Sequence, residues 1–170
     1  QFRDVWGNPS SPAEGSISAT LESPDGSSTT LTLKRQQGLG AFEVRCDPHE
    51  KGRYSLSVCL DGTPISDSPV AFEVTPGAPN GGKSRLLLPG DGQPQQIGEV
   101  PVEIVLECQD RYGNIVHTGG ATVAARALGP GTSSPTVEDL QNGRYVIRFA
   151  QAAAGECKIM VRLDNQDVPP

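Results

Sequence analysis

Few residues in this chain have side chains able to do chemistry. They are two histidines, His49 and His117, four cysteines, Cys46, Cys59, Cys108 and Cys157, and two aspartates in matching surroundings, Asp4 and Asp110. A histidine acting as a general base needs a positioned partner and a pocket. Asp47-Pro48-His49-Glu50 is a turn, and His117 also sits in turn-like sequence, so each histidine reads as a solvated loop residue. No Gly-x-Ser-x-Gly, P-loop or His-Glu-x-x-His pattern occurs. Gly38-Leu39-Gly40 lies between strands and does not open a helix, so it is no nucleotide cradle. The expectation is a chain that is not an enzyme, with no catalytic or cofactor-binding residue and no cofactor.

Metal chemistry is equally thin. The cysteines show no Cys-x-x-Cys spacing and no paired histidine, which argues against zinc. Calcium wants six or more oxygens, and Asp4 and Asp110 each bring one carboxylate to their stretch, so turn capping is the better reading and no metal site is expected. By strand alternation Cys46, Cys108 and Cys157 face inward and Cys59 faces out. All four read as reduced thiols, three of them small buried hydrophobes, which favours a cytosolic or ciliary compartment over a secreted one. The absence of any Asn-x-Ser/Thr sequon agrees, Asn8 being followed by Pro.

The elements that would position these residues are strands. The chain has 170 residues, a net charge of −6 and scattered Lys and Arg. Nucleic acid wants a clustered basic face, and an electrostatic membrane anchor wants the same, so neither partner is expected. No run approaches the roughly 18 apolar residues of a membrane span, and no charged-then-apolar leader is visible. A first residue of Gln rather than Met reads as a piece of something longer.

Apolar residues recur at period two in Ile17–Leu21, Phe42–Cys46, Tyr54–Leu60, Ala71–Val74 and Val102–Cys108. Thr29–Arg35 is a further β-prone run with Leu31 and Leu33 on one face. Pro24-Asp25-Gly26 and Asp61-Gly62 are turns, the second a strong hairpin signal. The one helix-friendly patch, Gln151–Ala154, is too short to stand alone.

Two stretches repeat. Asp4-Val5-Trp6-Gly7-Asn8 returns as Asp110-Arg111-Tyr112-Gly113-Asn114. The pattern is Asp, any residue, aromatic, Gly, Asn, and it suits a strand running into a tight turn with a left-handed backbone. Trp6, Ile17 and Pro24 match Tyr112, Val123 and Pro130, in each case 106 positions on. Phe42, Gly52 and Asp61 match Tyr145, Gly155 and Asp164 at a spacing of 103, so one three-residue difference falls between Pro24 and Leu39. The Pro- and Gly-rich Thr75–Gly82 marks the boundary between the copies.

These residues resemble the filamin-type immunoglobulin repeat. The resemblance is carried by Gly143–Phe149, by Gly155–Asp164, by the hairpin Asp61-Gly62-Thr63-Pro64-Ile65-Ser66-Asp67-Ser68-Pro69-Val70, and by Lys83–Gly92 as opening strand and Gly-rich loop. The aromatic-Gly-Asn turn is also similar to bacterial Ig-like adhesin repeats. The fold implied is all-β, a tandem of immunoglobulin-like β-sandwiches with no substantial helix. Residues 1–76 form one repeat lacking its first strands, and residues 77–170 a second lacking its last. An immunoglobulin-type disulfide would join the second and sixth strands. Cys108 ends the one and Cys157 starts the other, so the sulfurs belong at opposite ends of the core, beyond the ~7 Å reach of a disulfide.

What the resemblance implies is a non-catalytic module of a larger cytoskeletal or ciliary scaffold that binds other proteins by β-augmentation or domain docking. Members occur in actin cross-linkers, ubiquitin-ligase chains and ciliary dyneins. The implied groove lies along the third strand beside the fourth: Ile17, Ala19, Leu21, Leu31 and Leu33 in the first copy, Val123, Ala125 and Ala127 in the second. The remaining strands are expected from neighbouring sequence of the parent protein. The implied location is cytoplasmic; the alternative is an Ig-like stalk of a gamete-type adhesion protein on the extracellular face of the plasma membrane.

Overall fold

The computed structural model describes residues 3, 6–8, 10, 12–13, 15–36, 41–88 and 101–170, and among these every regular element is a strand. Asp4, Gly38-Leu39-Gly40 and the Gly-rich loop from Pro89 to Gly92 lie outside the described residues. The chain divides into two compact units, Gln1–Thr75 and Pro76–Pro170.

In the first unit the strands are β1 (Ile17–Glu22), β2 (Ser28–Leu31), β3 (Leu33–Arg35), β4 (Phe42–Val44), β5 (Gly52–Leu60), β6 (Thr63–Pro64) and β7 (Val70–Val74). One sheet runs β2–β1–β5, with β6 and β7 both on β5, and β3 pairs β4 separately. The run expected as a single strand from Thr29 to Arg35 therefore breaks at Thr32. Its first half belongs to the β1 hairpin and its second to β4, so Leu31 and Leu33 are on different strands. The β1–β2 turn is closed by the Ser23 N–H on the Ser27 carbonyl at 2.8 Å, and the Asp25 side chain accepts the Ser27 N–H at 2.9 Å.

The second unit has β8 (Arg85–Leu87), β9 (Val102–Glu107), β10 (Val123–Leu128), β11 (Thr136–Asp139), β12 (Arg144–Phe149), β13 (Lys158–Leu163) and β14 (Gln166–Val168). Its sheets are β11–β12–β9–β8 and β10–β13–β14. Alternation places Ile104, Leu106, Tyr145 and Ile147 from one sheet, with Val161 and Leu163 from the other, in a shared buried core. Asp164 and Asn165 both have positive φ, 46° and 65°, as do Asp61 and Gly62 at 50° and 77°. That double left-handed geometry is what a two-residue hairpin needs to follow the strand twist.

The two cores differ. Among the described residues the second unit buries eleven apolar residues, and the first buries three: Ala19, Leu21 and Tyr54. Tyr54 stacks on Phe72 with ring centroids 5.6 Å apart, and its hydroxyl donates to the Glu50 carbonyl at 2.9 Å.

Candidate partner-binding edge

His49 and His117 are both exposed loop residues, His49 lying 3.9 Å from the Asp47 carboxylate. All four cysteines are free. Cys108 is fully buried, and burial pushes its thiol up to about 11, with Asp139, Asp164 and Glu107 adding to the shift. Cys157 packs half-buried against the core. Cys46 departs from the inward placement expected of it. It is exposed, lying two residues past the end of β4, and among the described residues no strand pairs with it. No group of three or more His, Cys, Asp or Glu among the described residues could hold a metal ion.

The second copy of the repeated aspartate, Asp110, is a backbone clamp. Asp110 is 2% exposed. Its Oδ1 accepts the N–H groups of Tyr112 (2.9 Å) and Asn114 (3.0 Å), and its Oδ2 accepts the Gly77 N–H (3.0 Å) and the Asn114 side-chain amide (2.9 Å). Burial alone would raise its pKa; these donors outweigh burial and lower it to about 2. Gly113 supplies the left-handed turn with φ of 90°, as Gly7 does at 86°. Tyr112 is 45% exposed and lies under the Arg111 guanidinium, 4.5 Å from its ring centroid, so the aromatic serves the surface.

A second buried carboxylate sits three residues upstream at the end of β9, and nothing in the local sequence marks it. Glu107 on β9 is 1% exposed. Arg85 from β8 holds its Oε1 at 2.6 Å, and Arg144 from β12 holds its Oε2 at 2.6 Å. Burial opposes the ionised form, yet the two guanidinium forks keep its pKa lowered. Further along the same sheet face, Arg148 pairs with Glu103 at 2.6 Å and also with Glu138.

The expected groove residues separate by unit. In the first unit Ala19 and Leu21 are buried, and Ile17, Leu31 and Leu33 meet around Phe42 in a hollow of about 280 Å³. The Asp61 N–H donates to the Ser16 carbonyl at 2.7 Å, which makes that pair a hydrogen-bonded rung. Antiparallel alternation then turns the backbone groups of Ala19 and Leu21 away from β5, to the side where β2 places Leu31 and Thr29 opposite them. The edge of β1 is therefore occupied by the chain itself from Ala19 to Glu22.

The second unit leaves the same edge open. Among the described residues β10 pairs with β13 alone. The Asp164 N–H donates to the Thr122 carbonyl at 2.9 Å, so the rungs facing β13 are those of Ala124, Arg126 and Leu128. Val123, Ala125 and Ala127 turn their backbone N–H and C=O groups to the free edge and their half-buried side chains to the core. The outward face beside this edge sets Ala124 opposite Arg162, Arg126 opposite Met160, and Leu128 opposite Lys158. Leu128 and Met160 are 42% and 37% exposed, and Arg162 is paired with Asp167 of β14 at 3.0 Å, so the face carries Arg126 and Lys158 as its further cations with apolar gaps between them.

Comparisons with known proteins agree with this architecture. A family model described as the Filamin/ABP280 repeat matches residues 1–71 and 80–170. Filamin-A of Drosophila melanogaster is 26% identical over 156 residues, covering 92% of this chain and 6% of that protein. Filamin-C of Rattus norvegicus is 25% identical over 156 residues, again covering 92% of this chain and 5% of the relative. Among solved structures, the Escherichia coli adhesin FdeC superposes with a TM-score of 0.52 at 19% identity, over 96% of this chain and 53% of that one. At that identity the likeness is one of immunoglobulin-like fold.

Proposed function

Since this chain belongs to the filamin repeat family, we propose that it is a non-catalytic interaction module of a cytoskeletal scaffold, binding an extended partner peptide along the free edge of β10. The chain spans 6% and 5% of the filamin relatives it matches, so the scaffold itself, whether cytoplasmic or ciliary, is part of the proposal. So is the supply of further sandwich strands by neighbouring sequence of the parent protein. The observation that carries the reading is the backbone orientation of Val123, Ala125 and Ala127. An unpaired strand edge offers main-chain hydrogen bonds for affinity, and the alternate side chains around it give specificity. Alanine at 125 and 127 leaves room on the inward side for apolar side chains of an added strand. The basic outward face suits carboxylates or apolar residues at the intervening positions.

A peptide library selected on the immobilised chain tests this. Binders should alternate apolar residues with acidic or apolar ones, and should shift backbone amide resonances across Val123–Leu128. Binders that perturb another surface and leave β10 unchanged would overturn the assignment.

A further inference from the structure

Asparagine followed directly by glycine occurs twice, at Asn80-Gly81 and at Asn142-Gly143. Such a pair carries the means to modify itself. The backbone nitrogen of the second residue closes a five-membered imide if it attacks the side-chain carbonyl carbon of the first. The reaction is intramolecular, so its rate follows how freely the two atoms meet, and glycine has no side chain to obstruct them. Both pairs lie in the second unit, which holds them differently. Gly81 is buried, its N–H donates to the Gln166 side-chain oxygen at 2.9 Å, and a Cβ there would come within 2.6 Å of Gln166 Cβ. The Asn80 carbonyl accepts the N–H groups of Lys83 (3.1 Å) and Ser84 (2.9 Å) and the Ser84 hydroxyl (2.8 Å), so the peptide joining the pair is fixed on both sides. Asn142 is exposed in the turn between β11 and β12. Its Oδ1 accepts the Arg144 N–H at 3.1 Å, which folds the side chain back over the Gly143 peptide. Among the described residues the Gly143 N–H has no hydrogen-bond partner.

We propose that Asn142 is a site of spontaneous deamidation and that Gln166 protects Asn80 from the same reaction. The Gly143 nitrogen attacks Cγ of Asn142, and the Arg144 N–H on Oδ1 stabilises the oxyanion that forms. The Cγ–Nδ2 bond then breaks, and ammonia leaves with the proton that the Gly143 nitrogen gives up. Water reopens the imide in one of two ways. Opening at Cγ gives aspartate; opening at the main-chain carbonyl gives isoaspartate, whose backbone runs through the former side chain. The two products differ in what they do to the fold. Aspartate keeps an oxygen for the Arg144 N–H. Isoaspartate adds one atom to the backbone just ahead of Gly143, where there is no slack. A Cβ at 143 would run into the Val116 carbonyl, and the Gly143 carbonyl accepts the Cys108 N–H at 2.9 Å. Isoaspartate therefore loosens the join between the start of β12 and the end of β9. The proposal does not depend on the β10 edge.

The test ages the whole 170-residue chain in mildly alkaline buffer and maps its tryptic peptides, since residues 127–144 and 54–83 carry one Asn-Gly pair each. In the folded chain Asn142 should deamidate about tenfold or more faster than Asn80. In urea the two rates should converge, because the sequence pair is then all that remains. Gln166→Ala should speed Asn80 and leave Asn142 as it was. Aged chains that an isoaspartyl methyltransferase labels should exchange the Cys108 amide about tenfold faster than fresh ones. Asn142→Asp, which carries the other product, should exchange it as the fresh chain does. Four results would overturn the proposal. They are equal rates for Asn80 and Asn142 in the folded chain, an Asn142 that reacts in urea and not when folded, an Asn80 indifferent to Gln166→Ala, and unchanged Cys108 exchange in the labelled chains. The first two need no variant, so they decide the site even if Gln166→Ala fails to fold.

Discussion

The carboxylate of Asp110 and the backbone N–H of Gly77 meet at 3.0 Å across 33 positions of chain. That bond ties the segment entering the second unit to the turn that ends β9. Asp110→Ala would leave the N–H groups of Gly77, Tyr112 and Asn114 without their acceptor. Buried donors stripped of a charged acceptor cost about 2–4 kcal/mol in total. Urea denaturation should show that loss in the second unit's transition, with the first unit's unchanged.

The same carboxylate makes the second unit acid-sensitive. Its folded pKa is lowered from 3.8 to about 2. A depressed value means the stabilisation is present above about pH 4 and is lost as pH falls toward 2, an effect of about 2 kcal/mol. Glu107, also lowered, acts in the same direction. The second unit's melting midpoint should therefore fall steadily between about pH 5 and pH 2, and Asp110→Asn should flatten part of that slope.

Glu107 is the more demanding of the two carboxylates, since it is buried between Arg85 and Arg144. Glu107→Ala should destabilise the second unit by about 3 kcal/mol, the cost of removing the common partner of two guanidiniums. Arg85→Ala should cost less, because Arg144 still neutralises the carboxylate. Chemical denaturation of the three proteins orders them.

Proline substitutions one residue apart separate edge from ladder on β10. Proline removes one N–H and is tolerated in a strand only where that N–H faces solvent. Ala125→Pro should leave the second unit folded and abolish peptide binding. Ala124→Pro should break a rung toward β13 and cost about 3 kcal/mol. Circular dichroism melts and peptide titrations of both variants give the answer.

Thiol labelling should proceed in an order set by burial. Cys46, exposed, reacts first. Cys108, buried and with its thiol pushed up to about 11, should react only when the second unit opens, so its labelling rate should track that unit's unfolding equilibrium.

Much of the fold was legible because it is written locally. Alternation in Val102–Cys108 and Tyr54–Leu60 depends on which face is buried, and Asp61-Gly62 and Asp164-Asn165 depend on backbone conformation at two residues. What was not legible depends on a distant partner. Thr29–Arg35 alternates as one strand would, yet its pairing with Ala19–Glu22 ends at Leu31. Cys46 continues the alternation of Phe42 and Val44 but lies beyond the end of β4, so alternation alone could not report its exposure. The burial of Glu107 is created by arginines 22 and 37 positions away. Within the candidate groove, Val123, Ala125 and Ala127 could be picked out as a set, but not distinguished from Ala19 and Leu21. Which edge is free is decided by β2.

The three-residue length difference between the repeats has a consequence for stoichiometry. Two copies with equivalent third strands would present two open edges, but in the longer first copy β2 pairs along the third strand from Ala19 to Glu22. On the proposed β10 reading, the described residues offer one such third-strand edge per chain. A saturating peptide should load one per chain, and a bivalent peptide should pair two chains without building longer arrays. Unpaired edges also recruit each other into aggregates, and pairing with β2 removes the β1 edge from that hazard between Ala19 and Glu22.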